Sequence, residues 1–211
     1  MKAIKINFSS ANGNALKNQS KWWGAPDLPE DWEYPDIPDE EGEPTPLTFI
    51  CQIRCADLAE LDTENLLPHE GMLYFFAAID EYMDDSEYEC PFYNRLGEWS
   101  EKAYKVLYSP STDHLEPYEI TWDDGSPAYL PAEAISFEED GAYSDEFRLL
   151  GKPYFEQVQS EYEDYLNLLQ IDEEDRWHLR FYDCGMINFL ITPDDLKQKR
   201  FDKTIVYFES L

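Results

Sequence analysis

The sequence predicts a β-rich α+β fold: two pseudo-repeated halves of mixed or antiparallel strands sharing one core, with short peripheral helices. Three observations predict it. A strand-like run closing on Gln-Ile occurs twice, as Thr48-Phe49-Ile50-Cys51-Gln52-Ile53 and as Asn167-Leu168-Leu169-Gln170-Ile171. Each run is followed by a second apolar segment that opens on Gly-Met, at Gly71-Met72 and at Gly185-Met186. The chain also holds 6 Trp, 15 Tyr and 12 Phe, spread along its length. Rings of that size dominate the energetics of a buried core.

At 211 residues the chain fits one domain, residues 1–211, with the repeated portions at roughly 20–108 and 148–211. Its formal net charge is −30, from 46 Asp and Glu against 16 Lys and Arg. With so many aromatics, that charge reads as an acidic skin on a folded protein rather than as disorder. It repels phosphate backbones and anionic lipid, so neither nucleic acid nor a membrane surface is an expected partner. A basic protein or divalent cations would be attracted. No signal-peptide pattern opens the chain, and no apolar run approaches the roughly 20 residues that span a bilayer. Cys51, Cys55, Cys90 and Cys184 form no CxxC, so they read as reduced thiols, Cys51 and Cys55 in a core, of a cytoplasmic protein.

Taken in order, residues 1–20 read as an opening strand and a loop with an Asn12-Gly13 turn. Ser20-Lys21-Trp22-Trp23-Gly24-Ala25-Pro26-Asp27-Leu28-Pro29 is an irregular wrap, because residues before proline are driven to extended conformations. Residues 36–46, rich in acid and proline, read as an exposed loop. Residues 47–53 are a buried strand, 56–61 a helical turn or two, 71–79 a second strand, 80–89 an acidic loop and 105–108 a short strand. Residues 109–147 carry little pattern beyond Ile120-Thr121-Trp122, a strand entering the turn Asp123-Asp124-Gly125. Leu150-Gly151-Lys152-Pro153 echoes Trp23-Gly24-Ala25-Pro26, and residues 205–208 echo 106–108. The clearest helix has Thr192 as N-cap, Pro193 at its first position and Asp195 in the capping-box slot.

These pieces, together with Leu66-Leu67-Pro68, Leu73-Tyr74-Phe75-Phe76, Leu149-Leu150-Gly151 and Cys184-Gly185-Met186-Ile187, resemble the YwqG-like family, bacterial domains of unknown function. The similarity runs in order over nearly the whole chain. Departures are local: Trp22-Trp23 stands where the family more often has an aromatic and a glycine, and Asn188 where an aromatic is usual. The resemblance implies a single β-rich α+β unit and brings no catalytic residues.

The residues themselves offer little chemistry. His69, His114 and His178 form no HxxxH or HExxH pattern. Asp123-Asp124-Gly125 and Asp172-Glu173-Glu174-Asp175 could attract cations by oxygen ligation, but neither has the alternating acids of an EF-hand loop. No cofactor, metal site or catalytic group is expected, only adventitious divalent cations. Gln52 and Gln170 stand out as amides in apolar strands, where an unbonded amide costs roughly 1–3 kcal/mol. One reading has each tying its strand to the neighbouring Gly-x-Pro wrap.

The leading functional expectation is a non-enzymatic module that binds a basic protein, in the manner of an immunity-type inhibitor of a basic toxin. Its face would be Trp22, Trp23 and Asp27 with the loop acids Asp39, Glu40, Glu41 and Glu43. The alternative is a small-ligand site or hydrolase in a cleft between the halves, with Gln52, Gln170, Asp172 and His178 converging. A third possibility is a housekeeping module whose acidity serves solubility alone.

Overall fold

Among the described residues every strand longer than three residues joins one antiparallel sheet. The computed structural model describes residues 2–10, 16–38, 42–83, 95–141 and 144–211. Asn12-Gly13, Asp39, Glu40, Glu41, most of the acidic loop after Met83, and Cys90 lie outside them. The strands are β1 (Ala3–Ser10), β2 (Lys21–Trp22), β3 (Asp27–Pro29), β4 (Asp36–Pro38), β5 (Pro44–Pro46), β6 (Thr48–Arg54), β7 (Met72–Ala77) and β8 (Gly97–Glu98). They continue as β9 (Tyr104–Ser109), β10 (Leu115–Pro117), β11 (Glu133–Asp140), β12 (Arg148–Leu149), β13 (Leu166–Ile171), β14 (Met186–Ile191) and β15 (Ile205–Glu209). Among the described residues the α-helices are α1 (Glu156–Glu161) and α2 (Pro193–Lys197).

The main sheet has 11 strands in the order β8-β15-β14-β13-β12-β1-β11-β2-β6-β7-β9. The long β1–β11 pair, matched from Ala3↔Asp140 to Ser10↔Glu133, forms its middle. From there β2, β6, β7 and β9 step outward on one side, and β12, β13, β14 and β15 on the other. Of the two arrangements expected, mixed or antiparallel, the antiparallel one occurs: every pair in this sheet is antiparallel. Small two-stranded sheets, β3 with β10 and β4 with β5, lie apart from it.

The sheet curls until its outer strands face each other. Tyr104 on β9 donates its hydroxyl to the Thr204 carbonyl at 3.0 Å, just before β15. Phe75 and Phe189 meet edge to face at 5.4 Å across the interior. The face bearing Cys51, Phe75, Leu169, Phe189 and Val206 therefore lines the inside, and cross-strand pairing puts Gln52 with Tyr74 and Gln170 with Asn188 on the other face. That outer face is covered as well. Trp32 packs on Tyr74 and Tyr34 on Phe76, while Val158 of α1 packs with Leu190 and Tyr207. Strands covered on both faces have no reason to alternate, which is why 48–54 and 166–171 read as continuous apolar runs.

Both Gln-Ile strands carry a register shift two residues before the glutamine, between Phe49 and Cys51 and between Asn167 and Leu169. Such a bulge re-aims the side chains that follow it. The helix expected after Thr192 forms, with the Thr192 hydroxyl accepting from the Asp195 N–H at 3.1 Å. The turn expected over 56–61 is a 3-10 turn, Cys55–Leu58. Among the described residues no helix is long and apolar enough to cross a membrane.

Candidate functional site

The two glutamines organise two polar networks on the covered face. Lys21 lies directly opposite Gln52 in the β2–β6 register, and both are buried. One oxygen of Asp27, Oδ2, accepts from the Asn18 N–H at 2.9 Å, Lys21 Nζ at 2.8 Å and Gln52 Nε2 at 2.6 Å. The Asp27 N–H donates to Gln52 Oε1 at 2.8 Å, and Tyr74 donates its hydroxyl to the Asp27 carbonyl at 2.6 Å. Burial pushes the Lys21 ammonium below the usual lysine range, and the Asp27 carboxylate works against that push. Burial also drives the Tyr74 hydroxyl up. The chain reaches this hub through a left-handed pair, Trp23 at φ 56° and Gly24 at φ 76°, which turns the wrap back over β6.

On the other side Arg148 lies opposite Gln170 in the β12–β13 register, and both are buried. Gln170 Oε1 accepts from the Tyr154 N–H at 3.2 Å, Arg148 Nη2 at 3.3 Å and Asn167 Nδ2 at 3.1 Å. Its Nε2 donates to the carbonyls of Ser144, Asp145 and Glu146, the last at 2.8 Å. Here too a left-handed pair leads in, Leu150 at φ 58° and Gly151 at φ 80°. Each glutamine thus ties its strand to the adjoining wrap, as one reading of the sequence expects.

The two networks do not share a cleft. Four strands separate β6 from β13 in the sheet, so Gln52 and Gln170 lie five strand spacings apart, about 24 Å along the sheet. His178 is exposed, and Asp172 is half-buried beside the Gln170 network. Burial pushes the Asp172 carboxyl up to about 6, with the charges of Asp145, Glu173 and Glu146 adding to the effect. A broad groove of about 900 Å³ does exist between the sheet ends, lined by Glu98, Tyr104, Lys105, Asp195, Phe201 and Lys203 among others. It contains none of the four residues expected in a cleft.

Nor do Trp22, Trp23 and Asp27 form an outer face. They are 0%, 1% and 0% exposed. Trp22 stacks on Trp177 at 5.9 Å, inside a ring cluster with Trp23, Phe8 and Phe147. Arg176 closes that cluster, its guanidinium 4.9 Å from the Trp177 ring centre and bonded to Glu133 at 3.0 Å. The pull of aromatic burial outweighed the turn-forming residues around them. Of the loop acids expected beside them, Glu43 is exposed, and Asp39, Glu40 and Glu41 lie outside the described residues. Arg148 went unremarked in the sequence and Lys21 stood there only as part of the wrap, although a cation two residues ahead of each of the echoed pairs Trp23-Gly24 and Leu150-Gly151 was there to be seen.

Among the described residues the surroundings of the thiols hold them in the protonated form. Burial raises Cys51 well above its ordinary value and Cys55 to about 12. Cys184 is exposed, and the Asp183 carboxylate raises it. Among the described residues no three of His, Cys, Asp and Glu are grouped to hold a metal ion.

A family described as a domain of unknown function, DUF1963, matches residues 20–140 and 132–209. The chain belongs to this family. No curated protein matches it. In this DUF1963 chain the matched region takes in both glutamine networks, apart from Asn18, and the whole sheet except β1.

Proposed function

We propose that the chain is a non-enzymatic binding module of the bacterial cytoplasm, of the YwqG-like kind, which engages a basic protein through its acidic surface. Within that class we place it with immunity-type inhibitors of basic toxins. The observation that carries the reading is the net charge of −30 on a chain whose buried Lys21, Asp27, Gln52 and Gln170 are bonded within the fold. Lys21, Asp27, Gln52 and Gln170 direct their hydrogen bonds at one another and at backbone groups, holding the wraps in place. The excess carboxylates stand outside, where a field of that sign steers a cationic partner toward the surface.

We infer further that residues 20–108 and 148–211 are two copies of one unit. Lys21 and Arg148, the left-handed pairs, the bulged strands and the N–H groups of Asp27 and Tyr154 on the glutamine oxygens support this. The copies have diverged at the hub, where Asp27 and Tyr74 correspond to Tyr154 and Asn188.

The test is affinity capture from the source lysate on the immobilised chain, followed by re-purification of whatever is retained. The expected result is one basic protein, released by salt, that rebinds at one-to-one stoichiometry in calorimetry. Retention of no basic protein at either low or high salt would remove the reading.

A further inference from the structure

We infer that the hairpin over residues 120–128 is the docking element for the basic partner, with an arginine or lysine of that partner packing on the Trp122 indole. This rests on the basic-partner reading above and gives it a surface. Residues 106–147 contain eleven Asp or Glu and no Lys or Arg, so a positively charged segment laid along them meets no like charge from this stretch. Within it Trp122 is 65% exposed, whereas Trp22, Trp23, Trp99 and Trp177 are buried and Trp32 is half-buried. Tyr118 is 41% exposed beside it in sequence, and Glu119, Asp123 and Asp124 are all exposed, while Glu116 is already paired with Lys17 at 2.6 Å. An indole face attracts a cation best among the aromatic side chains, and flanking carboxylates pair with the remaining charges of a basic segment.

The hairpin is held in shape before any partner arrives. The Trp122 N–H donates to the Ser126 carbonyl at 2.9 Å, Gly125 N–H to the Trp122 carbonyl at 2.8 Å and Ala128 N–H to the Ile120 carbonyl at 2.9 Å. Asp124 Oδ1 accepts from both the N–H and the hydroxyl of Ser126, at 2.9 and 2.6 Å. Its root is fixed too. β10 pairs with β3, the Tyr118 N–H donates to the Pro26 carbonyl at 2.8 Å, and the Tyr118 ring sits 5.2 Å from that of Tyr34. β3 begins at Asp27, so the buried Lys21–Asp27–Gln52 network is the footing on which the exposed aromatic stands. A surface ordered in advance loses less entropy on binding than a floppy loop.

The probe is a fluorescein-labelled dodecapeptide of alternating Arg and Ala, followed by anisotropy in about 0.15 M KCl, a concentration at which exposed charges are screened beyond about 8 Å. Acrylamide quenching of tryptophan emission is read in parallel. The expected result is saturable binding that shields the quenchable tryptophan. Trp122→Ala should weaken it about tenfold, and Trp122→Phe, which keeps a ring, by much less. Glu119→Gln with Asp123→Asn should weaken it while leaving the thermal midpoint unchanged. If Trp122→Ala binds as tightly as the parent, the hairpin assignment falls and the basic-partner reading survives elsewhere on the surface. If the parent chain binds the peptide at neither 0.15 M nor about 0.02 M KCl, both fall.

Discussion

Asp27 gathers an ammonium, an amide and a backbone N–H on one carboxylate oxygen in a site with no exposure. A buried ion pair is weak evidence of net stabilisation, but removing one partner strands the other charge. Asp27→Ala should therefore cost about 3–5 kcal/mol in urea unfolding, because Lys21 remains buried. Adding Lys21→Met to it should recover part of that loss. A single-variant cost below about 1 kcal/mol would show that Lys21 reaches solvent without Asp27. Asp172 behaves in the opposite sense. Its carboxyl is pushed up to about 6, so between the ordinary aspartate value and about 6 the folded state holds more protons than the unfolded one. Stability from this group is present below the unfolded value and is lost as pH rises through about 6. Asp172→Asn keeps an oxygen to accept the Glu173 N–H and removes the charge. It should raise stability at pH 8 by about 1 kcal/mol after allowance for solvent screening, and change it little at pH 4. Equal effects at both pH values would contradict this account.

At the scale of elements, the readable parts were those whose local chemistry agrees with their tertiary role. β6 and β13 announce themselves because both faces are covered, and α2 because Thr192, Pro193 and Asp195 are cap chemistry visible without a fold. Gly71 is readable as an opening residue, and the structure gives the reason: at φ +84° a Cβ would lie 2.1 Å from the Ser109 carbonyl oxygen. β11 was hidden, although it forms half of the central pair. Its Ser136, Glu138 and Glu139 are exposed, and an acid-rich strand with one wet face resembles the loops around it. α1 was hidden for want of a cap, since Phe155 supplies no side-chain bond to its first turn. The glutamines were legible as amides in apolar strands, but their backbone partners lie 16 residues away or more, as Tyr154 is from Gln170, and no spacing rule predicts that. The tryptophans misled for a related reason. A Trp between turn formers can pin a core or stand on a rim, and only the packing of Trp177 on Trp22 decides it.

At the scale of the whole molecule, the charge of −30 sets fold and binding against each other in salt. A chain of 211 residues has a radius of gyration of roughly 17 Å when folded. At about 10 mM ionic strength the screening length is about 30 Å, so most of its carboxylates repel one another; at about 1 M it is near 3 Å, and they do not. Self-repulsion opposes the compact state, because unfolding lets the charges separate. Raising KCl from about 10 mM to 0.5 M should therefore lift the thermal midpoint by about 5 °C, read by circular dichroism at fixed pH 7.5. The same change should weaken a cationic partner, whose attraction is screened by the same ions. Opposite salt dependences of melting and of binding are thus the joint expectation, because one excess of carboxylate produces both. A midpoint that stays flat or falls over that range would mean that the attraction lost by local ion pairs such as Lys2–Glu139 and Arg200–Asp195 offsets the relief of that repulsion.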